Sequence, residues 1–238
     1  MRAVFQLTLA SLAVLGLLAV SCGTGGVAWN GQDPVVAELP QSRDPVLREA
    51  QLIEVTEVAP LVQIDLRYQY PGRISSKPLY QPGMKALLRP ETAVRLRRAS
   101  QLLKKSGYRL KVWDAWRSPS AQWALFEASG RNEDFVANPR NAPSQHSCGT
   151  AVDVTLVSWD GKEVEMPTPF DFFGPEAAAQ YAGAKPEVIA RRKILQQAML
   201  QAGFYPLSHE WWHFVDRNYK NYPETIAMEK VAPTLRAR

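Results

Sequence analysis

A carboxylate inside an apolar strand is the feature that most constrains how this chain can fold. Residues 151–157 read Ala-Val-Asp-Val-Thr-Leu-Val, and their β-branched side chains predict a strand. Alternation places Asp153 on one face with Ala151 and Thr155, and the larger apolar side chains on the other. Burying a lone carboxylate costs several kcal/mol. Because the strand contains no lysine or arginine, Asp153 requires a cation from elsewhere in the fold.

The histidines are confined to two short motifs. The chain has three: one in Ser144-Gln-His-Ser-Cys-Gly-Thr-Ala-Val-Asp153 and two in His209-Glu-Trp-Trp-His213. Two histidines and a carboxylate are a common catalytic zinc set, so His146, Asp153 and His213 are predicted to bind one Zn²⁺ and to leave a fourth position for water. Taken singly, each residue also fits a structural role: a loop cap, a partner of a distant arginine, or a core histidine among aromatics. Together they favour the metal.

Glu210 is the spare carboxylate that a metallohydrolase requires. It would take a proton from the attacking water and deliver it to the leaving amine. In a regular strand, Glu210 and His213 would face opposite sides, so a bend is expected between them. His209 is expected to lie beside the site without binding the metal.

The two motifs resemble those of the zinc D-alanyl-D-alanine dipeptidases of the vancomycin-resistance type, within the DD-peptidase and hedgehog-like group. That family carries Ser-x-His-x-x-Gly-x-Ala-x-Asp and Glu-Trp-Trp-His, and the similarity runs from about Ile64 to Tyr222. The resemblance implies zinc-dependent hydrolysis of the D-alanyl-D-alanine dipeptide in the cell envelope, in peptidoglycan turnover or recycling.

Arg117 is the predicted anion-binding residue. It ends the alternating strand Leu110-Lys-Val-Trp-Asp-Ala-Trp116, and Ser118 and Pro119 predict the cap and first residue of a helix. A helix N-terminus and a guanidinium are both positive, which suits an anion. Trp113-Asp-Ala-Trp-Arg117 resembles the family's Trp-Asp-Gly-Tyr-Arg, whose arginine stabilises the tetrahedral oxyanion. The alternative is a surface salt bridge.

The resemblance also implies three substrate contacts. The Phe-Asp-Phe motif around Asp171 matches the family aspartate that binds the free ammonium of a dipeptide, the alternative being a capping aspartate. Tyr68 matches a family tyrosine that reaches the same amino group, and Ser144 is expected to contact the carboxylate end. An Asp-Gly hairpin turn at 159–162 and a returning strand at 163–166 are predicted to bring Asp171 back to the metal end.

One segment departs from the family. The usual Asn-Phe pair after the tyrosine is replaced by Tyr70-Pro-Gly-Arg-Ile74, which changes the pocket wall and therefore bears on the substrate. Cys148 stands where the family often has arginine. It is interpreted as a bystander and not as a metal ligand.

The N-terminus predicts export. Arg2 precedes an apolar run over residues 3–20, and Ala19-Val-Ser-Cys22 resembles a lipoprotein cleavage box with Cys22 as the lipidated residue. An ordinary signal peptide and an uncleaved anchor helix are the alternatives. All three place the protein in the periplasm or cell envelope. Residues 1–22 are thus predicted to be a signal peptide and 23–52 a tether between membrane and domain.

Residues 53–238 are predicted to form a single zinc-binding α+β domain, with a mostly antiparallel central sheet and packed helices. Apolar stripes predict helices at about 90–106 and 186–202. The net charge is +5, but the basic residues are scattered, so a small dipeptide and a membrane anchor are the expected partners, and nucleic acid is not. The oligomeric state is left open.

Two other functions remain alternatives. A DD-carboxypeptidase, or another peptidoglycan peptidase of the same superfamily, shares the metal set but has an open pocket; the Phe-Asp-Phe motif argues against it. A non-catalytic zinc-stabilised binding module is the second alternative. The pairing of Glu210 with Arg117 argues against that one, because a binding module needs neither residue.

Overall fold

The structure is a computed structural model that describes residues 38–222. The predicted signal peptide with Cys22, and the tether as far as residue 37, lie outside the described residues. Among residues 38–222, no helix combines the length and the apolar character that crossing a bilayer requires.

The described chain folds into five helices and seven strands. The helices are α1 (Pro45–Glu49), α2 (Val55–Val58), α3 (Pro90–Lys104), α4 (Pro119–Ala128) and α5 (Pro186–Ala202). The strands are β1 (Ile53–Glu54), β2 (Gln63–Ile64), β3 (Leu87–Leu88), β4 (Tyr108–Asp114), β5 (Ala151–Ser158), β6 (Phe204–Pro206) and β7 (His213–Asp216).

Five strands form the central sheet, in the order β2-β4-β5-β7-β6. Its neighbours are antiparallel except for β2 and β4, which are parallel. The long connection through α3 allows that parallel pair. The prediction of an α+β fold with a mostly antiparallel sheet is therefore confirmed, with the refinement that the sheet is mixed. Strands β1 and β3 form a separate antiparallel pair.

One face of the central sheet packs against helices, and the other carries His213. On β7, the Asp216 carboxylate accepts a hydrogen bond from Thr92 Oγ1 of α3 at 2.7 Å and pairs with Arg95 Nε at 3.2 Å. Asp216 therefore faces α3. Alternation turns His213 and Val215 to the opposite face, away from the helices.

The candidate residues lie at the end of the central sheet where β4 stops. Strands β2 and β4 both finish there, and the antiparallel register brings Ala151 of β5 beside Val215 of β7. Segments that follow or precede these strands, including residues 115–118 and 144–150, meet at the same end.

The returning strand predicted at 163–166 is not formed. A single bridge joins Val157 to Glu163, after the turn in which the Ser158 N–H donates to the Lys162 carbonyl at 2.9 Å. Pro167 and Pro169 follow and lack the N–H groups that a longer ladder needs. Val164 and Met166 pack against the core all the same, and the chain still returns to the sheet.

Packed structure begins before residue 53. Helix α1 lies inside the segment that the sequence assigned to the tether, and the Asp44 carboxylate caps it by accepting from the Val46 N–H at 2.9 Å. Leu47 and Leu52 are buried in a small cluster with Leu87 and Trp116. Residues 44–52 therefore pack against the domain because they bury apolar side chains.

Candidate metal centre and peptide cavity

Three side chains converge on one point on the helix-free face. His213 Nδ1 lies 2.9 Å from Asp153 Oδ1 and 3.2 Å from His146 Nε2, and His146 Nε2 lies 3.4 Å from the same carboxylate oxygen. All three residues are buried. The predicted metal ligands are thus brought together by the fold.

The donor set fits a zinc ion. Two donors that each lie about 2.0–2.1 Å from a tetrahedral zinc are about 3.3 Å apart, close to the separations found here. The Nδ1–H of His146 donates to the Ala115 carbonyl at 2.7 Å, which leaves the Nε2 lone pair pointing at the trio. A second histidine nitrogen and a carboxylate complete a group of acceptors that a cation would satisfy.

Sheet register and a tight turn position the trio. Asp153 and His213 are directly opposite each other on β5 and β7. His146 lies in the turn before β5, where the Cys148 N–H donates to the Ser144 carbonyl at 3.1 Å and the Gly149 N–H to the His146 carbonyl at 3.0 Å. Gly149 has a φ of 72°, a value that a glycine adopts without strain.

Glu210 faces the metal centre, and the bend predicted between it and His213 is present. β7 begins only at His213, and the His213 N–H donates to the Glu210 carbonyl at 3.3 Å. The Glu210 carboxylate lies 3.9 Å from His213 Nδ1. Burial, reinforced by the carboxylates of Asp153 and Asp171, raises the pKa of Glu210 well above its ordinary value. Glu210 is therefore a stronger base than an exposed glutamate.

Arg117 lies in a buried ion pair, not in a surface salt bridge. Its Nε donates to Asp114 Oδ2 at 3.0 Å, its Nη2 donates to the same oxygen, and its Nη1 donates to Gln122 Oε1 at 2.7 Å. The guanidinium also lies 5.0 Å from the centre of the Tyr68 ring. A guanidinium has five N–H groups, so two remain to bind a ligand.

A β-bulge turns Asp114 toward the site. Val112 is opposite Val154, but Asp114 is opposite Asp153, so Trp113 is the extra residue on β4. Directly opposite residues point to the same face, and Asp114 therefore lies on the face of the metal trio. It also accepts a hydrogen bond from Tyr80 Oη and lies 3.4 Å from His146 Nδ1.

Sequence reasoning assigned no role to Asp114, Gln122 or Tyr80. The signal that pointed to Asp153, a carboxylate within an apolar strand, was present at Asp114 as well. Asp114 lies three residues before Arg117, which identifies the arginine as its ion-pair partner. Gln122 and Tyr80 have no comparable signal, because only the folded chain brings them to the arginine and the aspartate.

Asp171 and Tyr68 meet as predicted. Tyr68 Oη donates to Asp171 Oδ1 at 3.1 Å. Tyr68 lies in a 3₁₀ turn, Arg67–Gln69, that follows β2. Burial, together with the Asp153 carboxylate, raises the pKa of Asp171 to about 8. The Asp171 carboxylate therefore lacks a compensating positive charge, and the ammonium of a ligand would provide that charge.

The remaining candidate residues surround this centre. Ser144 is buried and its Oγ accepts from the His146 N–H at 3.3 Å, so it supports the histidine turn as well as lining the site. Cys148 is buried but stands outside the converging trio. His209 packs edge-on against Phe135 at 5.7 Å and belongs to the cavity rim.

These residues line one cavity of about 720 Å³. The trio, Glu210, Arg117, Asp171, Tyr68 and Ser144 all contribute to its wall. The buried carboxylate of Glu210, the guanidinium of Arg117, the candidate metal centre and the carboxyl group of Asp171 thus share one cavity. The arrangement suits the hydrolysis of a small peptide.

Comparisons with known proteins identify the family to which the chain is similar. The chain matches the peptidase M15 family described as D-ala-D-ala dipeptidase over residues 48–231. It is 30% identical to the D-alanyl-D-alanine dipeptidase of Escherichia coli K12 over 173 residues, which are 73% of this chain and 88% of that protein. The D-alanyl-D-alanine dipeptidase of Enterococcus faecium is 31% identical over 152 residues, covering 57% and 75% of the two chains.

One solved structure overlaps this fold in part. It is the LdcB LD-carboxypeptidase, described in terms of peptidoglycan recognition, with 19% identity, a TM-score of 0.40 and coverage of 78% of this chain and 73% of that one. The family match spans most of the described residues and includes both histidine motifs. The chain therefore belongs to the D-Ala-D-Ala dipeptidase family and is a metallopeptidase.

Proposed function

We propose that the protein hydrolyses the dipeptide D-alanyl-D-alanine with one zinc ion held by His146, Asp153 and His213. The observation that carries the proposal is that this trio shares a buried cavity with Glu210, Arg117 and Asp171. The names of the curated relatives support the substrate. When bound, the zinc would polarise the scissile carbonyl and lower the pKa of water.

Glu210 moves the proton. Its carboxylate takes a proton from the attacking water, whose oxygen forms a bond to the carbonyl carbon. The same carboxyl group then gives that proton to the leaving nitrogen as the carbon–nitrogen bond breaks, which releases two molecules of alanine. Its carboxylate lies 3.9 Å from His213 Nδ1, close enough to reach a water molecule at the trio.

Arg117 stabilises the developing oxyanion. Its two remaining N–H groups are held in place by the bonds to Asp114 and Gln122, so little reorganisation is needed during the reaction. Such preorganised donors contribute about 3 kcal/mol each in comparable sites.

Asp171 selects a substrate with a free amino group. Its carboxylate is buried beside Tyr68, and an ammonium supplies the positive charge that the pocket lacks. This contact predicts a preference for dipeptides over the ends of longer chains, because an acylated nitrogen carries no charge.

The test is D-alanine release from D-alanyl-D-alanine by the purified full chain. Activity should disappear with a chelator and return with Zn²⁺, and comparing other divalent ions would identify the metal. Glu210→Ala should lose activity by about 10²–10⁴-fold while retaining bound zinc. Bound zinc without turnover of any peptide would instead favour the non-catalytic binding module.

A second candidate follows from the size of the cavity. At about 720 Å³ it exceeds what two alanines fill, which favours a DD-carboxypeptidase or another peptidoglycan peptidase. N-acetylated and longer wall peptides distinguish the candidates: a dipeptidase requires the free amine, and a carboxypeptidase tolerates its acylation.

The cellular setting is part of the proposal. The apolar run at 3–20 and Cys22 support export to the cell envelope with a lipid anchor, where the enzyme would act in the turnover of peptidoglycan fragments. Radiolabelled fatty acid should be incorporated into the wild-type protein and not into Cys22→Ser. Labelling of both proteins, or of neither, would favour one of the two other export signals.

A further inference from the structure

The cavity continues past the metal centre toward the β6 edge of the sheet. Tyr68 and Arg117 follow β2 and β4, the trio sits on and beside β5 and β7, and Tyr205 belongs to β6, the outermost strand. Adjacent strands are about 4.8 Å apart. Beyond His213, the cavity wall is formed by Tyr205, Leu207, Val215, Arg217, Tyr219 and Lys220.

A dipeptide leaves this end of the cavity empty. Two extended residues span about 7 Å. With its ammonium at Asp171 and its peptide bond at the trio, D-alanyl-D-alanine ends next to His213. A volume of about 720 Å³ is in the range that holds drug-sized ligands, roughly 300–1,000 Å³. Space for a longer leaving group therefore remains on the β6 side.

The walls of that space carry positive charge. Arg217 directly follows β7 and lines the cavity together with His213 and Val215. Tyr205 is directly opposite Val215, and the Arg217 guanidinium lies 4.6 Å from the centre of the Tyr205 ring. The guanidinium thus lies beside Tyr205 and Val215, two residues along β7 from His213. Lys220 adds a second positive charge to the same part of the lining.

The opposite end of the cavity is acidic. Glu133 and Asp134 line it beside Phe135, whose ring stacks on Phe173 at 4.5 Å, two residues from Asp171. The cavity is therefore acidic on the amine side and basic beyond the metal centre. A peptide bound across it has the same polarity, with its ammonium at the acidic end and its carboxylate toward the basic end.

We propose that Arg217 and Lys220 form a carboxylate subsite for leaving groups longer than alanine. The carboxylate would belong to an acidic side chain on the leaving residue or to one additional residue. This inference rests on the proposed function for the position of the scissile bond. It extends the substrate class from one dipeptide to D-alanyl peptides that carry an anionic group beyond that bond.

Binding to the zinc-loaded full chain carrying Glu210→Ala tests the subsite without turnover. Calorimetry would compare two matched pairs: D-alanyl-D-glutamate with D-alanyl-D-glutamine, and D-alanyl-D-alanyl-D-alanine with its C-terminal amide. The charged member of at least one pair should bind roughly tenfold more tightly, and the preference should weaken in salt. The pair that shows it identifies where the carboxylate comes from.

Substitutions then assign the preference to its residues. Adding Arg217→Gln and Lys220→Gln should reduce the preference to less than about twofold, while Arg43→Gln, an exposed arginine outside the cavity lining, should retain it. Equal binding within both pairs overturns the proposal, and so does a preference that survives the double substitution. Failure of the wild-type protein to hydrolyse D-alanyl-D-alanine would refute the proposed function instead, because the binding measurement requires no hydrolysis.

Discussion

At the scale of single residues, Asp171 combines a charge with an uncommon backbone conformation. Its φ is 58°, in the left-handed region that asparagine also tolerates. Asp171→Asn therefore removes the charge and leaves the backbone unstrained. We expect the KM for D-alanyl-D-alanine to rise about tenfold, because an ionic hydrogen bond to the ammonium is lost. Steady-state kinetics would measure the change.

N-acetyl-D-alanyl-D-alanine, tested as a competitive inhibitor, is the control ligand for this variant. It has no ammonium, so its inhibition constant should change by less than about twofold. An equal loss for both peptides would show that Asp171 supports the cavity without selecting the amine.

Asp114 is the positioning residue on which Arg117 depends. It binds Arg117 through one oxygen and Tyr80 through the other, within a fully buried environment. Asp114→Asn should lower kcat by about 10–100-fold, as the loss of outer partners does in other metal sites. Asp160→Asn, on the exposed turn after β5, is the matched control and should leave kcat unchanged. A kcat as high in Asp114→Asn as in this control would contradict the role.

At the scale of elements, the turn that holds His146 depends on Gly149. A Cβ there would lie 3.0 Å from Leu52 Cδ2 and 3.4 Å from the Arg89 backbone nitrogen. Gly149→Ala should lower the free energy of unfolding by about 2–3 kcal/mol, measured by denaturant titration. Gly107→Ala has a similar φ of 78° and open space around its Cβ, so it should lose only about 1 kcal/mol. An equal loss of unfolding free energy in the two variants would mean that the positive φ, and not crowding around the added Cβ, causes the destabilisation.

The elements that the sequence predicted are those with a strong internal pattern. Strand β5 and helices α3 and α5 follow from alternation or from apolar stripes, and the metal trio follows from residue type and motif. The bulge in β4 was not predictable, because an extra residue leaves the alternation of Leu110–Trp116 looking regular. The bond of Arg117 to Gln122 was not predictable either, because only the folded chain brings the two side chains together, whereas Asp114 and the prolines after 163–166 were signals present in the sequence.

At the scale of the whole molecule, the metal site links distant parts of the chain. His146 and Asp153 are 67 and 60 residues from His213 in sequence, so a metal ion would hold the three together only in the folded protein. A free zinc concentration 100 times the Kd would stabilise the fold by about 2.7 kcal/mol. We expect a chelator to lower the Tm by roughly 5–10 °C for a chain of this size, measured by calorimetry.

The same scan on two variants shows which residues produce the shift. Asp153→Asn should lose most of the difference between zinc-loaded and chelated protein, whereas Asp160→Asn should keep it. An undiminished shift in Asp153→Asn would place the stabilising ion elsewhere.

The position of the Asp114 carboxylate depends on the one extra residue that the bulge adds to β4. An extra residue in β4 puts Trp113 and Asp114 on the same face, where one packs against Trp211 and the other holds Arg117. In an unbroken ladder of the same residues, Asp114 would lie opposite Val152, and its carboxylate would turn toward the helices. The number of residues in β4 therefore matters as well as their identity: with Trp113 as the extra residue, Asp114 and the Arg117 that it holds lie on the face of the metal trio.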